Sequence, residues 1–330
     1  MSEYQYKNLA LQAGGVLGTA YVGAIQALTE KGILPNIDRI AGASAGAIVG
    51  TLIALRFSPV EIERIMLDLD FSQFTDSTNV LNIVRKYGFY AGDFFLKWME
   101  DLVAMKLTKT ATFEDLRNAG FGDLYVFATD LTTRGLREFS YRSTPDTQIA
   151  SAVRASMSIP LFFEAWQFPD SIPDDHIYID GGIMLPYPLY TFDYPPFTPV
   201  ETHNEETLGI SLKTGFSQVG LRKFFDFNEY IESLFESVST MRISATNKLR
   251  TVTIDTLNIS PTNFQISMAD KKKLAKSGYD GVIDFFNKKE EGCVFLPEDV
   301  VEEINALTEV AEAASAEVEA AEAAAAPVSA

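Results

Sequence analysis

Cysteine occurs once in the 330 residues, at Cys293. No intramolecular disulfide can form, so the fold does not depend on an oxidising compartment. Histidine occurs only at His176 and His203. That leaves no Cys/His cluster for a zinc site. Positive charge is scarce: 27 Lys and Arg stand against 45 Asp and Glu, for a formal net charge of -18. Such a chain is repelled by nucleic-acid phosphates and does not dock on anionic lipid through charge alone. Long apolar runs are also missing. The most apolar stretch, Ala41 to Leu55, is too short and too rich in Gly, Ala and Ser to span a bilayer. The opening MSEYQYKNLALQAGG has neither the basic nor the apolar region of a signal peptide. The expectation is a soluble, cytoplasmic protein that meets membrane only as a transient peripheral visitor.

Apolar residues, by contrast, are plentiful. They make up 47% of the chain, and 24 residues are Phe. A sizeable core can be built, with side chains to spare for an apolar pocket. The length suits one large α/β domain with a helical elaboration.

Asn8 to Gln12 reads as a buried strand followed by a Gly-rich turn. Tyr21, Val22, Ile25 and Leu28 recur at helical spacing, and Gly32 stops that helix. Ile37 to Ala41 is a short strand that enters Gly42-Ala43-Ser44-Ala45-Gly46, and a small-residue helix leaves it, Ala47 to Leu55. Strand, Gly-turn and helix, twice over, is the pattern of a mostly parallel α/β sheet. Residues 59–118 read as helical throughout, with Pro59 at a first helical position and Thr112-Phe113-Glu114-Asp115 as a capped start. Strands are predicted at Leu124–Thr129, Arg137–Tyr141, Ile177–Asp180, Leu208–Leu212 and Val252–Ile259. Helices are predicted at Thr147–Ser156, around 222–248 and over 268–287. Tyr187 to Glu206 is Pro-rich and acidic, hence a loop. The domain is expected over residues 5–290. Residues 291–330 become an Ala/Glu tail with little to bury, a frayed helix or a disordered segment.

Gly42-Ala43-Ser44-Ala45-Gly46 matches G-x-S-x-G. That spacing puts a serine on a sharp strand-to-helix turn. Glycines two residues away on either side let neighbouring backbone approach, and the following helix points its positive end at a developing oxyanion. A tight packing turn with an incidental serine accounts for Ser44 alone equally well. Ala13-Gly14-Gly15-Val16-Leu17-Gly18 lies between the first strand and the first helix, where acyl transfer wants close-approaching N–H donors. A dinucleotide fingerprint fits it poorly: its first Gly is Ala13, and the next strand runs into GASAG instead of ending in an acidic residue. A Gly-rich turn with no ligand stays open.

A serine hydroxyl needs a proton acceptor. His203 sits in a polar loop, and His176 at a strand start is more often structural. Asp180, before Gly181 and Gly182, closes an apolar strand at a sheet end, where burial raises a carboxyl pKa. Taken alone, Asp-Gly reads more readily as a turn.

Together these pieces, in this order and with no usable histidine, resemble the patatin-like phospholipase family. The resemblance runs from about Lys7 to Phe286. It includes Gly88-Phe89-Tyr90-Ala91-Gly92-Asp93, Ala128-Thr129-Asp130-Leu131, Ala152 to Pro160, Leu208-Gly209-Ile210, Asn263-Phe264 and Gly278-Tyr279. It implies a three-layer α/β/α sandwich with residues 59–118 as an elaboration near the pocket. It also implies a lipid or phospholipid substrate, no cofactor, and chemistry that needs no metal. Ser44 would attack an acyl ester, Asp180 would take its proton, and Gly14, Gly15 and Val16 would supply oxyanion N–H groups. The chain departs from the family pattern at Ala13 and Leu17 of the G-G-G-x-[KR]-G loop, and at Leu185-Pro186 after D-G-G. These departures bear on rate and substrate more than on reaction class. A non-catalytic lipid-binding or regulatory module on the same fold is the alternative, and a nucleotide-binding protein a third. Two further readings concern packing. Lys271, Lys272, Lys273 and Lys276 read as a solvated helix face more readily than as a headgroup patch. Phe162 and Phe163 read as core more readily than as an acyl-pocket lining.

Overall fold

A computed structural model describes residues 5–75, 85–199, 202–213, 233 and 244–291. Most of the helix expected around 222–248, Cys293 and all but the first residue of the expected tail lie outside the described residues.

The chain opens with β1 (Asn8–Leu11), a 3-10 turn over Gly15–Ala20, α1 (Tyr21–Glu30), β2 (Arg39–Ala43) and α2 (Ala45–Ala54). All four residues of β1 are buried, as a strand covered on both faces requires. Every residue of α2 is buried too, which its Gly, Ala, Ile, Val and Leu composition allows. Next come α3 (Pro59–Asp68), β3 (Gly88–Tyr90), α4 (Asp93–Ala104), α5 (Phe113–Asn118), β4 (Asp123–Asp130), β5 (Gly135–Phe139) and α6 (Ile149–Ser156). The chain continues with β6 (Leu161–Phe163), β7 (Tyr178–Asp180), β8 (Thr207–Lys213), α7 (Ala245–Lys248), β9 (Thr251–Asp255) and α8 (Met268–Glu290).

The main sheet runs β5-β4-β2-β1-β8-β9, and β7 also pairs with β4. From β4 to β9 all neighbours are parallel; β5 and β7 run antiparallel to β4. This is the expected mostly parallel α/β sandwich. Successive residues of β4 point to opposite faces. Leu124, Val126 and Ala128 join the large core under α1, α2 and α8, whereas Tyr125 and Phe127 join a second cluster with Ala13, Ala43 and Phe192. Among the described residues, the segment from Leu185 to Phe197 covers that second face.

Residues 59–118 are not helical throughout. A three-residue strand, β3, interrupts them and pairs in parallel with β6, Gly88 opposite Leu161 and Tyr90 opposite Phe163. Pro59 opens α3 as predicted, behind a Ser58–Glu61 capping box not predicted from sequence, and the predicted capped start at Thr112 is a capping box with Asp115. The strand predicted to Ile259 ends at Asp255, because Leu257 and Asn258 take positive φ and turn the chain.

Lys271 departs from the solvated face expected for its cluster. It is 5% exposed, donates to the Leu67 and Leu69 carbonyls at the end of α3, and lies over the Phe71 ring. Lys272, Lys273 and Lys276 are solvent-facing. Phe162 and Phe163 are core residues, with Phe162 stacked on Phe264 at 4.6 Å.

Candidate active site

The register of the sheet brings Ser44 and Asp180 together. β2 pairs with β4 up to Ala43 opposite Phe127. One residue further along β4, Ala128 faces Asp180 of β7. On its other edge β4 is already paired with β5, Ala128 facing Arg137. So β7 lies in the lane that β2 vacates, running the opposite way. The residue after β2 and the last residue of β7 meet at the junction.

Ser44 caps the start of α2 with φ 51° and ψ -123°, in the positive-φ region that side chains rarely enter. Strain of this kind has to be held by its surroundings. The flanking glycines are needed for contact: a Cβ on Gly42 would lie 2.3 Å from the Gly46 carbonyl oxygen, and one on Gly46 would lie 2.3 Å from that of Leu11. Ser44 is fully buried, and its Oγ–H donates to Met157 Sδ at 3.3 Å.

Asp180 is fully buried as well. Its Oδ1 accepts the Gly182 N–H at 2.7 Å, while Oδ2 is buried with no hydrogen-bond partner among the described residues. Burial pushes the carboxyl up to about 7, against smaller opposing pulls from the Ser44 hydroxyl and the Gly182 N–H. The serine hydroxyl therefore lies close enough to favour the charged carboxylate, although its hydrogen bond runs to sulfur.

The glycine loop lies alongside. Gly15 has φ 54°, and a Cβ there would lie 2.1 Å from the Pro261 carbonyl oxygen, so only glycine fits. The Val16 N–H donates to that same oxygen at 2.9 Å and is thereby engaged. Gly14 and Gly15 N–H groups have no backbone acceptor among the described residues. Gly18 packs against Ala45, where a Cβ would come within 2.9 Å of the Ala45 Cβ. The two loop departures are both inside: Ala13 is 2% and Leu17 1% exposed.

Neither histidine serves Ser44. His176 Nδ1 pairs with Asp130 Oδ2 at 2.7 Å, and this hydrogen bond is the main reason its pKa is raised. His203 is exposed. Among the described residues, no group of three or more His, Cys, Asp or Glu is placed to hold a metal ion.

Several residues not singled out for a role from sequence lie against the pair. The Ser44 N–H donates to Ser156 Oγ at 2.8 Å, and the Asp180 N–H donates to the Ser158 carbonyl at 2.8 Å. Arg154 is 1% exposed and donates to Ser158 Oγ and to the Ala91 carbonyl. Its guanidinium fills the space beside Gly92. Thr129 Oγ1 donates to the Asp180 carbonyl. Four stretches distant in sequence, around 91, 129, 154 and 180, thus converge. A cavity of about 420 Å³ opens on the second face of the sheet, lined in part by Tyr125, Phe127, Leu185, Tyr190 and Phe197. Ser44 and Asp180 are not in its walls.

Comparison with known proteins gives a consistent picture. The family model for Patatin-like phospholipase matches residues 9–193. A protein of Acanthamoeba polyphaga mimivirus is 30% identical over 295 residues, covering 86% of this chain and 94% of its own. A probable lipid hydrolase of Invertebrate iridescent virus 6 is 25% identical over 193 residues, covering 56% of this chain and 62% of its own. Among solved structures, VipD from Legionella pneumophila superposes with a TM-score of 0.62 at 18% identity, covering 87% of this chain and 68% of that one. That last likeness is one of fold. Among the described residues, no helix is long and apolar enough to cross a membrane.

Proposed function

Because the chain belongs to the patatin-like phospholipase family, we propose that it is a serine lipid acyl hydrolase of phospholipase A type, working through a Ser44–Asp180 dyad. Lipid hydrolysis is what the family and the lipase-like relatives support; the dyad and the acyl-enzyme are proposed from the arrangement of the site. The observation that carries it is the fully buried Asp180 carboxyl, pushed up to about 7 by that burial, with its Oδ2 unpartnered among the described residues and the Ser44 hydroxyl close by.

A carboxylate at its ordinary pKa is a weak base, and a pKa near working pH is the better compromise for proton transfer. In this scheme the Ser44 hydroxyl turns from Met157 Sδ to Asp180 Oδ2. Oγ attacks the ester carbonyl and its proton passes to Asp180. The carbonyl oxygen, now negative, is met by the Gly14 and Gly15 N–H groups and by the positive end of α2. The C–O bond to the leaving lysolipid breaks, and Asp180 returns the proton to that oxygen. Water then repeats the sequence on the acyl-Ser44 ester, with Asp180 again as base, and releases the fatty acid. Each oxyanion donor is worth about 10²–10³ in rate. Val16 is left out of the donor set because Pro261 already holds its N–H.

The rival reading, a non-catalytic lipid-binding module, draws on the complete burial of both residues and on the hydroxyl's turn toward sulfur. One experiment separates them: hydrolysis of a p-nitrophenyl acyl ester series by wild type, Ser44→Ala and Asp180→Asn, with chelator present, alongside fluorophosphonate labelling. The hydrolase reading expects turnover and labelling by wild type and loss of both in the folded Ser44→Ala protein. Wild type inert across the series and unlabelled would leave the lipid-binding module in its place.

A further inference from the structure

Ser44 occupies a strained backbone conformation at a junction between two strands, and something must hold it there. Ser156, the last residue of α6, is fully buried. Its hydroxyl donates to the Phe127 carbonyl at 2.6 Å and accepts the Ser44 N–H at 2.8 Å. A serine hydroxyl has one proton. With that proton given to Phe127, the oxygen turns only lone pairs toward Ser44, and the orientation of the bridge is fixed.

The anchor point is not arbitrary. Phe127 is the last β4 residue paired with β2. Its carbonyl oxygen is closed in by Gly181, where a Cβ would approach to 2.0 Å and would also come within 3.3 Å of Ser156 Oγ. Two residues past Ser156, the Ser158 carbonyl accepts the Asp180 N–H at 2.8 Å. Between them, Met157 Sδ takes the Ser44 hydroxyl. Three consecutive residues therefore touch the nucleophile's backbone, its hydroxyl and the base's backbone.

We propose that Ser156 is a positioning residue for the nucleophile: its hydroxyl, bridging the Ser44 N–H to the Phe127 carbonyl, fixes the elbow at the depth from which Oγ reaches Asp180 Oδ2 by side-chain rotation alone. This rests on the reading of Ser44 and Asp180 as a catalytic dyad. The bridge also commits the Ser44 N–H to a structural bond, which leaves oxyanion binding to the glycine loop.

The test uses the full chain with Ser156→Ala, Ser156→Thr and Ser156→Cys. It reads kcat and KM on a p-nitrophenyl ester from pH 5 to 9, the rate constant of fluorophosphonate labelling, and Tm. Misplacing a reacting atom by about an ångström costs roughly a hundredfold. Folded Ser156→Ala is expected to lose about ten- to a hundredfold in kcat and in labelling, with KM within about twofold. Its acidic limb stays near 7, because burial and the Gly182 N–H still set Asp180. Ser156→Thr, which keeps the hydroxyl, recovers most of the rate, and Ser156→Cys falls between. If Ser156→Ala does not fold, the order Ser, Thr, Cys in kcat at constant KM carries the test. A lowered Tm with wild-type kcat and labelling, or a raised KM with unchanged kcat, overturns the proposal and leaves the dyad standing. A wild type that neither turns over nor labels sinks the dyad itself, and the positioning role falls with it.

Discussion

Asp180→Asn offers a test of the base that needs no substrate. The change keeps shape and removes charge: the Asn Oδ1 can still accept the Gly182 N–H, and its nitrogen replaces an oxygen that has no partner among the described residues. In the folded chain the Asp180 carboxyl titrates near 7, up from an ordinary 3.8, chiefly because it is buried. An acid whose folded pKa lies above its unfolded one holds its proton more tightly when folded. Between those two values the folded state binds more protons, so stability falls as pH rises. The slope reaches about 1.4 kcal/mol per pH unit. From 3.8 to about 7 the loss amounts to roughly 4 kcal/mol, fully present above 7 and absent below about 4.

Urea unfolding of wild type and Asp180→Asn from pH 4.5 to 8.5 reads this directly. Carboxyls held low by hydrogen bonds, such as Asp130, give slopes of opposite sign, but both proteins share them and the difference cancels them. The unfolding free energy of Asp180→Asn minus that of wild type should rise with pH and level off near 7. Any fixed cost of burying the amide only offsets the whole curve. A flat difference would mean that the carboxyl titrates as an ordinary surface acid and that burial does not raise it. If the acidic limb of kcat/KM still fell near 7, the base would have to be another group.

Three further expectations follow from packing and charge. Gly15→Ala sets a Cβ 2.1 Å from the Pro261 oxygen at a φ of 54°; backbone strain alone costs about 1–3 kcal/mol, so calorimetry should show a clearly lowered Tm, and an unchanged one would show that the loop lies elsewhere. Asp193→Ala leaves the charge of Arg250, whose side chain is 7% exposed and held bidentately by Asp193, with only the neutral acceptors of Asn247 and Asn204. Removing one partner of a buried pair costs about 3–5 kcal/mol, and a loss below 1 kcal/mol in urea unfolding would contradict the burial of that pair. His176, hydrogen-bonded to Asp130, should titrate by NMR above the ordinary 6.5, and Asp130→Asn should bring it back. The pair's contribution to stability is present below the unfolded value and disappears as pH rises through the folded one. An unshifted His176 would break that link.

The parts of the fold legible in the sequence are those whose cause is local. Asn8-Leu9-Ala10-Leu11 is apolar enough to be covered on both sides, and a glycine pattern then forces a turn. Pro59 and Thr112-Phe113-Glu114-Asp115 announce helix starts, and the capping bonds there close within four residues. What escaped depends on partners far away in the chain. β3 exists because Gly88 and Tyr90 find Leu161 and Phe163, and in isolation the stretch reads as part of a helical region. Gly15–Ala20 tightens into a 3-10 turn where the Pro261 carbonyl captures the Val16 N–H. The candidate site divides in the same way. Ser44 and Asp180 stand out by motif and order. The serines at 156 and 158 fall inside the stretch Ala152 to Pro160 that the resemblance includes, but their contacts carry no local signal, because a buried serine becomes informative only once its partners are known.

The short antiparallel strand is what would let the proposed base work without a histidine. Histidine titrates near 6.5 unaided, whereas a carboxyl comes near 7 only by giving up water. Water is most completely excluded inside a sheet with both faces covered, yet the interior of a parallel sheet is normally filled by continuous strands. Here β2 stops at Ala43, and β7 enters the same lane from the other end. Its terminal Asp180 thus lies at zero exposure, directly ahead of Ser44 at the N-terminus of α2. The same burial that raises the carboxyl costs the fold stability above pH 4. That cost is tolerable only if the junction is held on every side, and Gly182, Thr129 and Ser158 each bond Asp180 while Ser156 bonds Ser44. The density of bonds around two fully buried residues is therefore what the proposed use of this carboxyl as a base near neutral pH requires.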